Sequence, residues 1–229
     1  MSVATRWWWI RHAPVPDGGR IYGQSDLPCD CGDTEIFRIL AREVPRDAVW
    51  VTSNLLRTTQ TAAAILAAAE PGRFAGVVPE AVPAFAEQHL GEWQGQERKA
   101  FYAARKVGTH TLWFAPASER PQGGESFADL MQRVVPAIER LNLEHRGKDI
   151  IAVTHGGTIR AAIGFALGLS PQASLAFSVE NCSLTRIDHL TAGGDGDGLW
   201  RIVAVNHRPW SRTPAAEQLG HNPVAIDKA

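Results

Sequence analysis

The run RWWWIRH at residues 6–12 contains four consecutive bulky apolar residues and ends on an arginine and a histidine. An unbroken apolar run of this kind is typical of a strand that is buried on both faces of a sheet. The segment DIIAVTHGG at residues 149–157 follows the same plan, because its apolar run also ends on a histidine. We therefore predict two buried strands whose carboxyl ends carry His12 and His155.

Strand and helix signals alternate along the rest of the sequence. Ser126 followed by Asp129 is the capping pattern of a long helix, and Ser53 or Asn54 is expected to cap an earlier one. This alternation predicts an α/β fold with three layers (α/β/α), in which helices cover both faces of a mainly parallel central sheet. The predicted strands are residues 6–10, 47–52, 76–79, 149–154, 182–187 and 199–205, and the predicted helices are 53–69, 126–145 and 158–167.

The composition excludes several classes of protein. The 229 residues suit a single domain over residues 1–229, and a hydrophobic content of 45% is ordinary for a globular chain. The 23 basic and 24 acidic residues give a net charge of −1, without the basic excess that nucleic-acid binding requires. The three cysteines include one C-x-C pair, Cys29 and Cys31, which makes neither a disulfide framework nor a zinc site.

The sequence also indicates where the protein acts. Residues 1–10 carry Arg6 and lack the leucine-rich apolar region of a signal peptide, and there is no run of about 18 uncharged apolar residues that would predict a transmembrane helix. A few unpaired cysteines fit a reducing compartment. We therefore expect a cytoplasmic protein with neither a membrane nor a nucleic acid as its partner.

Two segments do not fit the alternating pattern. Residues 96–122 combine basic and aromatic side chains, which predicts an insertion packed over the strand ends as a lid or substrate wall. Its cations, Arg98, Lys99, Arg105 and Lys106, are first interpreted as an exposed helix face, with binding of an anionic substrate as the alternative. Residues 208–229 contain three prolines and no periodicity, and are predicted to be an irregular tail.

Four residues that follow predicted strands share a chemistry suited to a phosphate monoester. Arg11 and His12 end the first strand, Arg57 begins the helix after the second, and His155 ends the strand at 149–154. In open parallel sheets, ligands bind beyond the carboxyl ends of the strands. Arginine pairs with phosphoryl oxygens through two N–H groups, and neutral histidine is a capable nucleophile. Backbone N–H groups at residues 156–157, where a helix opens, would add anion contacts.

These residues and several longer motifs resemble the histidine phosphatase superfamily, the relatives of phosphoglycerate mutase. The order and spacing of the motifs hold from residue 6 to about 206, and this ordered set is far more specific than any single motif. The resemblance implies a phosphoglycerate mutase-like fold. The motifs are RHA at 11–13, YGQSDLP at 22–28, SNLLRTTQTA at 53–62, FAEQHLGEWQG at 85–95, GGES at 123–126 and HGG at 155–157.

The resemblance also implies a role for each site residue. His12 would be the nucleophile, and Glu87 would protonate the leaving alcohol and then activate water; Glu80 and Glu92 are the alternatives for this acid. Ala13 replaces the usual glycine, while Val15 and Gly18 replace phosphate-binding Ser/Thr and Asn residues, so the loop at 22–25 is expected to substitute for them. The residues expected to hold the phosphoryl group are Arg11, Arg57, His155, Gly156, Tyr22, Gly23 and Gln24.

The implied activity is that of a phosphatase acting on a small-molecule phosphate ester, with no metal and no cofactor. A mutase shares this site but carries an arginine pair in a longer insertion, and no such pair follows Glu87. The loop at 20–28 is similar to the α-ribazole phosphatase branch, so α-ribazole 5′-phosphate is the first substrate considered; a broad-specificity or sugar-phosphate phosphatase stays open. A catalytically inactive phospho-ligand binding protein is the alternative from another class, and formation of a homodimer is left open.

Overall fold

A six-stranded sheet forms the centre of the molecule, in a computed structural model that describes residues 3–105, 114–191 and 198–210. The strand order is β3-β2-β4-β1-β5-β6. Strands β1, β2, β3 and β4 pair in parallel, whereas β5 is antiparallel to both of its neighbours, which confirms the mainly parallel sheet. The strands are β1 (Val3–Arg11), β2 (Ala48–Thr52), β3 (Glu80–Ala81), β4 (Asp149–Thr154), β5 (Leu184–Thr191) and β6 (Leu199–His207).

Helices cover both faces of this sheet, which confirms the three-layer α/β/α architecture. The helices are α1 (Thr34–Glu43), α2 (Leu56–Ala67), α3 (Arg98–Ala104), α4 (Phe127–Glu144), α5 (Gly156–Ala166) and α6 (Pro171–Ser174), with 3₁₀ turns at Pro83–Phe85 and Gly91–Trp93. Helices α1 and α2 share an apolar core with one face, and α4 and α5 share a second core with the opposite face.

The tryptophan run of β1 supplies both cores because successive side chains of a strand point to opposite faces. Trp7 and Trp9 stack with ring centroids 4.8 Å apart and are almost completely buried beneath α4 and α5. Trp8 packs against the other core, beneath α1 and α2. Each fully buried side chain of this size contributes roughly 2–3 kcal/mol of hydrophobic stabilisation, so β1 is a fixed support for the residues that follow it.

Several predicted element boundaries are wrong, for reasons that the sequence does not display. Leu55 is the N-cap of α2, and the N–H of Leu56 donates to Asp26 Oδ1 (2.6 Å) from a distant loop; the Ser53 hydroxyl is engaged elsewhere. The strand expected at residues 76–79 lies at Glu80–Ala81 instead, just after Pro79, which has no N–H to donate to a sheet. Helix α1 was not predicted at all. The capping box of Ser126 and Asp129 is confirmed.

The register of β1 and β4 positions the two histidines. Arg11 pairs with Thr154 in this parallel pair, and the N–H of His12 donates to Thr154 O (2.8 Å). His12 and His155 therefore leave the sheet side by side at its carboxyl edge. Of the predicted insertion, residues 106–113 lie outside the described residues, as do residues 211–229 of the predicted tail. Among the helices described, none has the length and apolarity needed to cross a membrane.

Candidate active site

The two strand-end histidines lie next to each other in the interior. Their ring centroids are 5.2 Å apart, and the side chains are 1% (His12) and 0% (His155) exposed. Burial lowers the pKa of both imidazoles well below the usual value, and the neighbouring Arg57 guanidinium lowers it further. Both rings are therefore neutral near pH 7 in the unliganded protein.

The tautomer of His12 follows from the one hydrogen bond that its ring makes to the described residues. Nδ1 lies 2.7 Å from the carbonyl oxygen of Ala13, and a carbonyl can only accept, so Nδ1 carries the proton. Nε2 therefore carries the lone pair and makes no hydrogen bond to the part of the chain that is described. Asn181 Nδ2 donates to the carbonyl of His12 (2.8 Å), and the N–H of Ala13 donates to Thr61 Oγ1 (2.8 Å). The backbone thus holds a neutral imidazole with an available lone pair, the form that attacks phosphorus.

Arg57 connects His155 to the loop that follows β1. The guanidinium is fully buried, and its Nε donates to His155 Nδ1 (3.3 Å). Nη1 donates to Ser25 O (3.0 Å) and Nη2 to Gly23 O (2.6 Å), so three of the five N–H groups are used. The Tyr22 ring lies over the guanidinium, with its centroid 5.1 Å from Cζ, and the two remaining N–H groups donate to none of the described residues.

A cleft of about 630 Å³ opens at this edge of the sheet, and Arg11, Tyr22, Glu87 and Arg160 are among the residues that line it. Arg11 Nη1 donates to Val179 O (2.6 Å), while its Nε is buried without a hydrogen-bond partner among the described residues. Buried arginine nitrogens seldom lack a partner, so this donor is suited to a bound anion.

The sequence prediction did not include Arg160. It is the single charged residue of α5, four positions after Gly156 and hence on the same helix face, and that is the signal that could have found it. Its Nε donates to Phe177 O (2.8 Å), and burial lowers its pKa to about 10. A Cβ built on Gly156 would lie 3.1 Å from Arg160 Nη1 and 3.6 Å from Arg11 Nε, so the guanidinium groups of buried Arg160 and half-buried Arg11 both approach the N-terminus of α5. Such a concentration of positive charge favours anion binding.

Two carboxylates, Glu87 and Asp17, line this cleft, and Asp17 is paired with Arg98. Glu87 Oε1 accepts the N–H of Gln88 (2.9 Å), and Oε2 accepts the N–H of Gly157 (3.2 Å). A side chain at residue 157 would displace this carboxylate from its present position, and glycine leaves room for it. The alternative acids, Glu80 and Glu92, are both exposed and do not line the cleft.

Of the three loop residues expected to hold phosphate, two line the cleft and the third contacts other loops. Tyr22 and Gly23 line the cleft, although the carbonyl of Gly23 is already bound to Arg57. Gln24 Nε2 donates to the carbonyl of Glu87 (2.8 Å), and its backbone N–H donates to Gln94 Oε1 (2.8 Å). Gln24 therefore braces two loops against each other in this structure, and its contact with phosphate stays a prediction.

The outer wall of the cleft comes from the predicted insertion. Arg98, Tyr102, Arg105 and Phe114 line it, whereas Lys99 is exposed and Lys106 lies outside the described residues. The first interpretation of Arg98 and Arg105, an exposed helix face, is therefore wrong. Arg98 pairs with Asp17 (2.5 Å), Arg105 forms an ion pair with Glu119, and the rings of Tyr102 and Phe114 stack 6.4 Å apart. No cluster of three or more potential metal ligands occurs in the described ranges.

Comparisons with known proteins agree with this arrangement. The model of the histidine phosphatase superfamily (branch 1) matches residues 7–207. A probable phosphoglycerate mutase of Serratia proteamaculans is 27% identical over 202 residues, covering 87% of this chain and 91% of that protein. The structure of a mycobacterial glucosyl-3-phosphoglycerate phosphatase superposes with a TM-score of 0.72 at 27% identity, covering 89% of this chain and 99% of the other.

An α-ribazole phosphatase from Shigella flexneri shares the fold, with a TM-score of 0.67 at 23% identity over 89% of this chain and 97% of that structure. The resemblance inferred from the ordered motifs is therefore confirmed. Since the family model matches most of its length, this chain belongs to branch 1 of the histidine phosphatase superfamily.

Proposed function

We propose that this protein is a phosphatase that hydrolyses a small-molecule phosphate monoester through a phosphohistidine at His12. The observation that carries the proposal is the charge arrangement of the site. A neutral imidazole with an available lone pair lies among the guanidinium groups of Arg11 and Arg57, both of which lower its pKa. Attack on a phosphate monoester needs such a nucleophile, and cations that hold the phosphoryl oxygens as charge develops.

In the first step, Nε2 of His12 forms a bond to phosphorus as the bond from phosphorus to the ester oxygen breaks. The leaving alkoxide takes its proton from the carboxylic acid of Glu87, which lines the cleft. An alkoxide is a poor leaving group, so this proton lowers the barrier substantially. The products are phosphohistidine, a neutral alcohol and the Glu87 carboxylate.

In the second step, the Glu87 carboxylate removes a proton from a water molecule that attacks phosphorus. The bond from phosphorus to Nε2 breaks, inorganic phosphate leaves, and His12 and Glu87 return to their starting states. Arg11, Arg57 and His155 hold the phosphoryl oxygens in both steps, and Arg160 adds positive charge from the N-terminus of α5. All of the proton transfers use protein side chains, so the mechanism has no step for a metal or cofactor.

The substrate considered first is α-ribazole 5′-phosphate. Its flat heterocycle would pack against the stacked Tyr102 and Phe114, which line the outer wall of the cleft. The similarity to a glucosyl-3-phosphoglycerate phosphatase favours a sugar phosphate as the alternative, and the similarity to a probable phosphoglycerate mutase favours transfer to a second hydroxyl.

One set of assays tests these proposals. Phosphate release from p-nitrophenyl phosphate is measured for the wild type and His12→Ala, with and without EDTA. We expect release by the wild type alone, unchanged by EDTA; loss with EDTA would indicate a metal-dependent hydrolase, and no release by either protein would indicate a binding protein. A ranking of phosphate esters by kcat/KM, including α-ribazole 5′-phosphate, then identifies the substrate, and conversion of 3-phosphoglycerate would identify a mutase.

A further inference from the structure

The contacts of His155 determine its tautomer. The Nε–H of Arg57 points at His155 Nδ1 (3.3 Å), and because a guanidinium can only donate, Nδ1 must be the acceptor. The single proton of the neutral ring is therefore on Nε2. Burial lowers the pKa of His155, and so do the charges of Arg57 on α2, Arg11 on β1 and Arg133 on α4. A proton on His12, the other titratable group beside the ring, would lower it further, but His12 is itself neutral near pH 7.

Ser53 is the residue that receives this proton. Its Oγ lies 2.8 Å from His155 Nε2 and also accepts the N–H of Leu55 (3.1 Å), so both of its lone pairs are used. The hydroxyl proton is left for Thr58 Oγ1 (3.0 Å), and the Thr58 proton goes to the carbonyl of Leu55 (2.8 Å). A directed chain of hydrogen bonds thus runs from Arg57 through His155 and Ser53 to Thr58, and Ser53, Thr58 and the ring are all 0% exposed.

The chain of hydrogen bonds decides which ring nitrogen of His155 can contact the substrate. Nε2 already donates to Ser53, so Nδ1, whose partner is the Arg57 Nε–H at 3.3 Å, is the ring nitrogen left to contact a phosphoryl group beside His12. When a phosphate monoester arrives as its monoanion, its acidic proton passes to Nδ1, which gives an imidazolium and a dianionic ester and releases the Arg57 Nε–H to the same oxygens. The Nε2–H bond to Ser53 persists in both charge states and is stronger to the cation.

We propose that Ser53 is a positioning residue of the phosphatase site, whose hydroxyl orients His155 so that Nδ1 meets the phosphoryl group and whose lone pair stabilises the imidazolium. This proposal rests on the proposed function for its catalytic consequence. The orientation of His155 in the unliganded protein does not depend on it.

The test compares Ser53→Ala with Ser183→Ala. Ser183 is equally buried, and its hydroxyl has no partner among the described residues, so this control removes the same atom without a hydrogen bond. We expect Ser53→Ala to lower kcat/KM by about ten- to a hundredfold, the range for a lost hydrogen bond to a charged group. Because the imidazolium loses its partner, the pH above which phosphate binding is lost should also fall, by about one pH unit or more. Ser183→Ala should leave both unchanged, and an unaltered pH profile in Ser53→Ala would overturn the proposal.

Nitrogen-15 NMR of the histidine rings separates this proposal from the proposed function. In the wild type without ligand, His155 should carry its proton on Nε2, and in Ser53→Ala this preference should weaken. A proton on Nδ1 in the wild type would overturn the positioning role even if the protein is an active phosphatase. The Nε2–H tautomer in a protein that hydrolyses no ester would overturn the proposed function and leave the orientation by Ser53 intact.

Discussion

The carboxylate of Glu87 provides the sharpest test of the proposed chemistry, through the variant Glu87→Gln. The amide oxygen of glutamine can still accept one of the two N–H bonds that the carboxylate accepts from Gln88 and Gly157. The amide NH₂ group faces the other N–H, so one hydrogen bond is lost. That loss costs about 1 kcal/mol, which would lower kcat/KM by at most roughly fivefold, for every substrate alike, if all of it appeared in the transition state.

The loss of proton donation depends on the leaving group. For an alkyl phosphate, general acid catalysis contributes roughly 10²- to 10⁴-fold, which corresponds to about 3–5 kcal/mol. The p-nitrophenolate ion leaves without needing a proton, so the first step of its hydrolysis keeps nearly all of its rate. We therefore expect kcat/KM to fall by at most about fivefold for p-nitrophenyl phosphate and by at least a further hundredfold for the best alkyl ester.

The assay measures kcat/KM for both esters with the wild type, Glu87→Gln, Glu80→Gln and Glu92→Gln. Glu80 and Glu92 are exposed, so their variants are matched controls that should retain wild-type rates on both esters. Equal losses on both esters in Glu87→Gln would refute its role as the acid. A selective loss on the alkyl ester in either control would assign the proton to that residue instead.

Three further predictions concern the nucleophile, the buried histidines and the additional cation. His12→Ala should form no acid-labile phosphoprotein after brief incubation with substrate. Recovery of a phosphorylated His12→Ala protein would contradict the assignment of His12 as the nucleophile. Folding lowers the pKa of His12 and His155, so protonation of these rings opposes folding. We therefore expect the free energy of unfolding to be unaffected by them above about pH 6.5 and to fall below it, by up to about 1.4 kcal/mol per pH unit for each ring. Urea unfolding at pH 5–8 measures this fall, which should be smaller in the double variant His12→Asn/His155→Gln. Arg160→Met should weaken binding of inorganic phosphate about tenfold or more by calorimetry, whereas unchanged affinity would exclude Arg160 from the anion site.

The alternation of strands and helices in the sequence predicted the three-layer fold. A strand that is buried on both faces of the sheet needs a continuous apolar run, and such a run can be read from neighbouring residues in the sequence. It also placed His12 and His155 at strand ends. It did not reveal that β1 and β4 are neighbours, nor that β5 runs against the other strands. Helix α1 was not predicted, because its N-cap, Asp33, follows Asp26 and Asp30 and resembles another acidic turn residue.

What only the tertiary structure decided is the state of the site residues. Sequence supplied the imidazoles and guanidinium groups, but a pKa depends on what surrounds a group in space. Arg57 and His155 are 98 positions apart in the chain and yet form a hydrogen bond. The neutrality of both rings, the entry of Arg160 into the site and the pairing of Arg98 with Asp17 all arise from burial and from contacts between distant segments, which no local pattern encodes.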